Sequence, residues 1–345
     1  MDLHPWNFWT KQGKAQPWTA EIVATLEQAL KMDANNPLAN HLYIHAMEAS
    51  PEAIKALPSA QRLPSLAPNS GHLVHMPAHI YIRVGRYKDA ILANQRAVKV
   101  DQGYLSHDHA ESIYTVAYVP HNHHFLWSGA IKTGQKQLAL NAAADTAAAV
   151  KTEMLRDPAL GGTLQHFSAL PMLTHALFGS WDNFMNEPMP AEDLLYLKGN
   201  WHYVRGLAFL RQSRPVEANH EIEMLAKIIA NPETSKLTIF GLNQVTPILQ
   251  IAEAILRGEF SAYNKKYKAA ITYLNHAIEL EDGLNYTEPK DWYLPPRQVL
   301  GAILLESGKA KVAEEVYRKD LAYHPQNGWS LFGLMRSLQN QGKNR

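Results

Sequence analysis

Histidine is the residue type whose placement in this chain is suited to chemistry, since the sequence has 17 histidines and no cysteine. His72, His75 and His79 lie in the segment GHLVHMPAHIYIRVGRY, and residues three and seven positions apart share one stripe of an α-helix. Neutral imidazole binds zinc, copper, iron and nickel, so this stripe predicts a metal site. Pro77 favours a kink before His79, which makes His79 the weakest member of the stripe.

A second stripe lies in the preceding segment, NHLYIHAMEAS. His41 and His45 are four residues apart, the spacing at which one helix presents two imidazoles to a metal ion. Glu48 follows on the same stripe. Its carboxylate is predicted to bind the metal or to accept a hydrogen bond that orients an imidazole.

A third segment, YVPHNHHFLW, contains His121 and His124. They precede Gly134 by the same numbers of residues as the first two members of the opening stripe precede Gly85. Equal numbers of residues before the turn glycine predict equivalent positions in the two repeats. Three neighbouring helices are therefore expected to direct imidazoles into one concave groove. The predicted metal ligands are His41, His45, Glu48, His72, His75, His79, His121 and His124.

The alternative is that these histidines are structural. A single histidine on a half-apolar helix is more often a hydrogen-bonding or capping residue than a metal ligand. Clustering favours a metal ion because imidazolium charges repel one another, while buried neutral imidazoles need many hydrogen-bond partners. His107 and His109, which flank Asp108, are predicted either to orient the ligands or to cap a helix.

Composition excludes several classes of function. The 345 residues carry 33 Lys and Arg against 32 Asp and Glu, so neither a nucleic-acid footprint nor a polybasic membrane surface is expected. The absence of cysteine excludes disulfides, thiolate metal sites and cysteine nucleophiles. No apolar run is long enough for a transmembrane helix, and MDLHPWNFWTKQGK lacks the pattern of a signal peptide, so a cytoplasmic location is expected.

The rest of the chain has the period of α-helices, interrupted by short turns. A glycine, an aromatic residue and two alanines recur at fixed spacing, as in Gly85, Tyr87, Ala90 and Ala97. This pattern resembles the tetratricopeptide repeat, a helix–turn–helix unit of about 34 residues. The resemblance implies an all-α solenoid of such repeats. Other copies are Lys265/Tyr267/Ala270/Ala277, where the turn glycine is lost, Gly301/Gly308/Ala313/Tyr317/Pro325, and weaker ones at Gly134/Ala139, Gly179/Trp181 and Gly206/Ala218.

Longer phrases resemble one family of bacterial tetratricopeptide proteins. They are HLYIHAMEASPEAIKALPSAQRL, GHLVHMPAHIYIRVGRY, YVPHNHHFLW and HPQNGWSLFGL, and the resemblance extends over nearly the whole chain. It implies no settled activity. Members of the family are usually longer and begin with additional helical repeats, so this chain is expected to lack an N-terminal portion.

The prediction for the fold is one irregular array over residues 1–345, with an aromatic lead-in at 1–20 and a capping helix at 329–339. Two functions stay open. One is a metalloprotein that binds divalent zinc, copper or iron in a mono- or dinuclear, histidine-lined site of the groove, where an open coordination position could support catalysis. The other is a metal-free scaffold whose groove binds a peptide or protein partner. No GxSxG, HExxH or Gly-rich phosphate loop supports another enzyme class.

Overall fold

The computed structural model describes residues 6–106 and 112–343. Contacts between backbones divide the chain into two compact units. Unit 1 comprises Met1–Gln135 with Tyr323–Asn327, and unit 2 comprises Lys136–Ala322 with Gly328–Arg345. His107 and His109 lie outside the described residues.

Unit 1 carries all of the predicted metal ligands. Its described helices are α1 (Thr19–Met32), α2 (Pro37–Met47), α3 (Leu57–Leu66), α4 (Gly71–His75), α5 (Pro77–Arg83), α6 (Tyr87–Leu105) and α7 (Val119–Lys132). A 3-10 turn at Ala53–Ala56 precedes α3, and a π-helical turn at Tyr114–Tyr118 leads into α7.

Unit 2 contains the remaining helices of the described chain. They are α8 (Lys136–Ala148), α9 (Gly161–Leu177), α10 (Trp181–Met185), α11 (Leu195–Arg211), α12 (Pro215–Ala230), α13 (Val245–Tyr263), α14 (Tyr267–Gly283), α15 (Pro296–Glu306), α16 (Ala310–Tyr323) and α17 (Gly328–Gln339). Short 3-10 turns occur at Thr152–Arg156 and Thr234–Lys236. Strands β1 (Thr238–Ile239) and β2 (Asn243–Gln244) form a small antiparallel hairpin before α13.

Tight turns join successive helices into pairs. Gly85 joins α5 to α6 and Gly308 joins α15 to α16, both with φ near +76° to +77°, a conformation that glycine adopts without steric cost. Lys265 joins α13 to α14 at φ 59°, so the turn keeps the left-handed geometry although its glycine is lost. In the predicted copy at Gly206 and Ala218 the turn residue is instead Ser213, and Gly206 lies inside α11.

Pairs of sequence-adjacent helices form both units, which confirms the predicted all-α, tetratricopeptide-like class. One continuous array over residues 1–345 stays a prediction. No helix in residues 6–106 or 112–343 combines the length and apolar character needed to cross a membrane.

An apolar core in unit 1 fixes the helices that carry the histidines. Ile44 and Met47 of α2, Leu63 of α3 and Ile80 of α5 pack together in it and are fully or almost fully buried. The N-terminal aromatic segment packs on this core through Trp9, whose indole nitrogen donates a hydrogen bond to the carbonyl of Ala46 (2.7 Å). The hydrophobic effect, through burial of these side chains, is the main contribution that holds α2, α3 and α5 together.

In unit 2, two glycines form the slot for a buried aromatic ring. A Cβ atom built on Gly301 of α15 would lie 2.4 Å from Cζ of Tyr317, and one on Gly333 of α17 would lie 2.1 Å from it. Tyr317 itself, on α16, is 4% exposed. The three helices approach this closely only because both glycines lack a side chain.

We therefore expect Gly301→Ala to lower the free energy of unfolding by about 1–3 kcal/mol, since the rigid Tyr317 ring must move to admit a methyl group. Urea denaturation would measure the change. Gly283→Ala is the matched control because a Cβ there meets no atom within 4 Å, and alanine favours a helix. Equal effects of the two substitutions would contradict the proposed packing role.

Candidate metal centre

The structure brings seven of the eight predicted ligands together in unit 1. In the described residues they form three overlapping groups, and within each group one ligand atom per residue lies within 4.8 Å of the others. Group A is His41, His45 and His72, group B is His75, His79 and His121, and the third group is His45, Glu48 and His79. We call these seven residues the histidine cluster.

Group A joins α2 to α4. The Nε2 atoms of His41 and His72 lie 3.1 Å apart, and the ring centroid of His45 lies 4.9 Å from that of His41. All three side chains are half-buried. Ligand nitrogen atoms on a tetrahedral zinc ion are separated by roughly 3.3 Å, given Zn–N bonds of about 2.0–2.1 Å.

Group B joins α4, α5 and α7. The Nε2 atoms of His75 and His79 lie 2.9 Å apart, and the His121 ring lies 5.0 Å from that of His75 between centroids. Pro77 begins α5 rather than bending a continuous helix, so His79 still lies beside His75. Phe125 packs against all three rings at centroid distances of 4.5–4.9 Å and forms the apolar wall of this group.

Glu48 lies between the two groups. It is 1% exposed, and each of its two carboxylate oxygens contacts the Nδ1 atom of a different histidine. Oε1 lies 3.1 Å from Nδ1 of His45, and Oε2 accepts a hydrogen bond from Nδ1 of His79. The helix end is held by Arg83, whose Nε donates to the backbone carbonyl of Glu48 (2.8 Å).

The hydrogen bonds of group B determine where its protons lie. Asn94 donates its amide to the carbonyl of Ala90 (2.7 Å), which leaves its Oδ1 to accept from Nδ1–H of His75 (2.8 Å). The Glu48 carboxylate can only accept, so His79 also carries a proton on Nδ1. Neutral rings of these tautomers would therefore point two Nε2 lone pairs at each other over 2.9 Å. A cation must separate them: either a metal ion, or a proton that makes one ring an imidazolium.

Burial keeps several of the imidazoles neutral. Desolvation, followed by repulsion from His45 and His79, lowers the pKa of His41 to about 4. Desolvation is also the largest cause of the lowered pKa values of His72, His75 and His121, and repulsion from neighbouring histidines adds to it. Neutral imidazole is the form that binds metal ions, so these rings can bind a metal without first losing a proton at neutral pH.

Glu48 remains ionised despite its burial. Desolvation raises the pKa of its carboxyl group, but attraction to His79 and His45, together with their hydrogen bonds, lowers it by more. The net pKa is below the usual range for glutamate. The cluster therefore contains one fixed negative charge among six imidazoles.

A second polar network supports group A from α6 and α7. The Asp101 carboxylate accepts hydrogen bonds from the Tyr114 hydroxyl (2.6 Å) and the Asn122 amide (2.7 Å). The Tyr114 oxygen in turn accepts from the backbone N–H of His72 (3.2 Å). A Cβ on Gly71 would lie 1.8 Å from Oδ1 of Asp101, so this approach requires glycine. Asp101 thus positions the backbone of α4 through the Tyr114 hydroxyl.

The structure does not bring His124 into any of the three groups. Its buried ring packs against Trp127 at a centroid distance of 5.4 Å. Counting residues back from Gly85 and Gly134 gives equivalent directions only if both helices are unbroken. The helix before Gly85 is interrupted between α4 and α5, while α7 is continuous, so the two counts are not equivalent.

Asn94 is the residue of this centre that sequence reasoning missed. It lies on α6 between Ala90 and Ala97, the two small residues of the repeat pattern, and it is fully buried. A polar amide at a position that faces the neighbouring helix needs a partner. That signal was present in the sequence and would have indicated a hydrogen bond to the preceding helix.

Comparisons with known proteins give distant structural similarities. No protein-family model and no curated protein match the chain. A chain of the APC/C hetero-tetramer Cut9–Hcn1 is similar at 14% identity and a TM-score of 0.38, over 93% of this chain and 52% of that one. The TPR domain of P58(IPK) is similar at 11% identity and a TM-score of 0.28, over 95% and 96%. This chain spans about half the length of the first structure, and the fold assignment depends on the helices themselves.

Proposed function

We propose that this chain is a tetratricopeptide-like protein that binds a transition metal ion, zinc, copper or iron, in the histidine cluster of unit 1. Imidazole nitrogen suits each of these metals, and the described cluster has no sulfur ligand that would select among them. We also propose that it is a member of the bacterial family of tetratricopeptide proteins that its sequence resembles.

One observation carries the proposal. Asn94 and Glu48 hold protons on the Nδ1 atoms of His75 and His79, so the Nε2 atoms of the two rings face each other and need a cation between them, which we propose is a metal ion. Metal-binding histidines commonly donate their other N–H to a carboxylate or amide in this way, which fixes the tautomer and the ring orientation. Three protein ligands also leave a coordination position for water or substrate, as in catalytic zinc sites, so the proposal includes metal-assisted catalysis.

Metal analysis of protein purified without a histidine tag tests the proposal. We expect near-stoichiometric zinc, copper or iron by inductively coupled plasma mass spectrometry. The double variant His45→Ala/His79→Ala is expected to lose it, because it removes one imidazole from each tri-histidine group and both partners of Glu48.

The matched control is His220→Ala/His276→Ala, which also removes two imidazoles but from exposed positions of unit 2. It should retain the metal content of the wild type. Protein that contains no metal and takes up none from zinc, copper(I) or iron(II) solutions would refute the proposal.

A metal-free scaffold that binds a peptide or protein is the second candidate. The contact between His41 and His72 favours it, since a neutral ring with its proton on Nε2 could donate to the other Nε2 at 3.1 Å without a metal ion. Grooves of helical repeat proteins commonly bind extended partners. The metal analysis separates the two candidates.

A further inference from the structure

We infer that the histidine cluster holds two metal ions rather than one, the first in group A and the second in group B, with Glu48 hydrogen-bonded to both sets of ligands. This inference rests on the proposed function and adds its stoichiometry and the role of Glu48. Groups A and B share no residue, and each supplies three imidazoles.

The two oxygens of Glu48 determine how the ligands divide. Oε1 accepts from Nδ1 of His45, a member of group A, and Oε2 accepts from Nδ1 of His79, a member of group B. Each bond leaves the Nε2 lone pair of its histidine free for a metal ion in its own group. The third group, which includes Glu48 itself, is explained by these hydrogen bonds and needs no ion of its own.

The other ligands agree with this division. His41 and His72 approach each other through Nε2 atoms, as do His75 and His79. Nδ1 of His72 is buried and has no hydrogen-bond partner in the described part of the chain, whereas Nε2 of the same ring lies 3.1 Å from Nε2 of His41. In each group, two histidines therefore meet through the nitrogen atom that the division assigns to the metal.

Electrostatic repulsion between the two ions is expected to weaken binding of the second one. Two divalent ions would place four positive charges beside one buried carboxylate, and like charges in a partly buried site repel strongly. The half-buried rings of group A admit solvent, and a hydroxide or water on the open position of each ion would reduce the repulsion. The second ion is expected to bind more weakly than the first.

Zinc titration of the tag-free, chelator-stripped full chain tests the inference. Wild-type protein is expected to bind two zinc ions in two calorimetric steps. His72→Ala and His121→Ala should each retain one ion, since each removes a ligand from one group only. Glu48→Gln should weaken both steps by about 10–100-fold, because an amide cannot accept from both imidazoles and metal affinity commonly falls by this factor when such a partner is lost.

Cobalt(II) titration of the wild type gives an answer that does not depend on how the variants fold, because the visible absorption of bound cobalt should saturate at two equivalents. If the wild type binds a single zinc or cobalt ion, and His72→Ala and His121→Ala each abolish that binding, the two-site inference is overturned and the proposed function stands. Protein that binds neither ion would overturn both. His276→Ala, at an exposed position, is the control and should keep both steps.

Discussion

Glu48→Ala is expected to lower the free energy of unfolding of the metal-free protein by about 3–5 kcal/mol, since two buried donors would each lose an ionised acceptor and a cavity would remain. Glu48 is 1% exposed, and both of its oxygens accept from imidazole N–H groups. Alanine would leave the Nδ1–H groups of His45 and His79 without their acceptor and would open a cavity between α2 and α5. The loss is a large share of the stability of a typical domain.

Urea denaturation in the presence of a chelator measures this change. Glu52→Ala is the matched control, because Glu52 lies four residues further along the chain with a side chain that is 61% exposed. Its ion pair with Lys55 (2.7 Å) is exposed to solvent and screened, so its removal should have a much smaller effect. Similar losses for both variants would mean that Glu48 does not organise the cluster.

The fold was predictable because local patterns and long-range packing agree in this chain. The turn glycines Gly85 and Gly308 have the left-handed conformation that their residue type favours, and Ala90 and Ala97 are buried on α6 as the repeat pattern requires. Ser213 was not predictable as a turn residue. Its left-handed conformation is imposed by the packing of α11 and α12, and no glycine marks the position.

The candidate site was predictable to the extent that one helix determines it. The spacing of His41, His45 and Glu48 predicted one shared stripe; the two histidines lie on α2, Glu48 directly follows its last residue, and all three belong to the cluster. Contacts between side chains of different helices were harder to predict from the sequence. The break at Pro77 changes the direction of the residues before it relative to Gly85, so equal residue counts did not mark equivalent positions: His121 joins group B, whereas His124 packs on Trp127.

The hydrogen bonds that set the tautomers could not be read from spacing at all. Asn94 is 19 residues from His75 along the chain, and Glu48 is 31 residues from His79. Such contacts depend on how α2, α5 and α6 pack, which is a property of the whole unit. The sequence could predict which residue types might bind a metal, but not which nitrogen atom of each ring would be available.

The metal-free protein is expected to lose stability in unit 1 as the pH falls from about 7 to 4. The pKa of His41 is lowered from 6.5 to about 4, by burial first and then by repulsion from His45 and His79. The unfolded chain therefore takes up a proton near pH 6.5, whereas the folded chain does so only near pH 4. Stability from neutral His41 is complete above 6.5 and is lost as the pH falls towards 4, by up to about 3 kcal/mol at 1.36 kcal/mol per pKa unit.

The lowered pKa values of His72, His75 and His121 act in the same direction, and the lowered pKa of Glu48 extends the loss below pH 4.5. Hydrogen–deuterium exchange of α2 and α4, with a chelator present, would follow the loss in unit 1. Zinc should oppose it, because a bound metal ion competes with protons for the same nitrogen atoms and stabilises the folded chain that binds it. His41→Gln/His72→Gln should reduce the pH dependence, since two of the neutral rings are gone. A pH dependence equal to that of the wild type would show that the acid sensitivity arises outside group A.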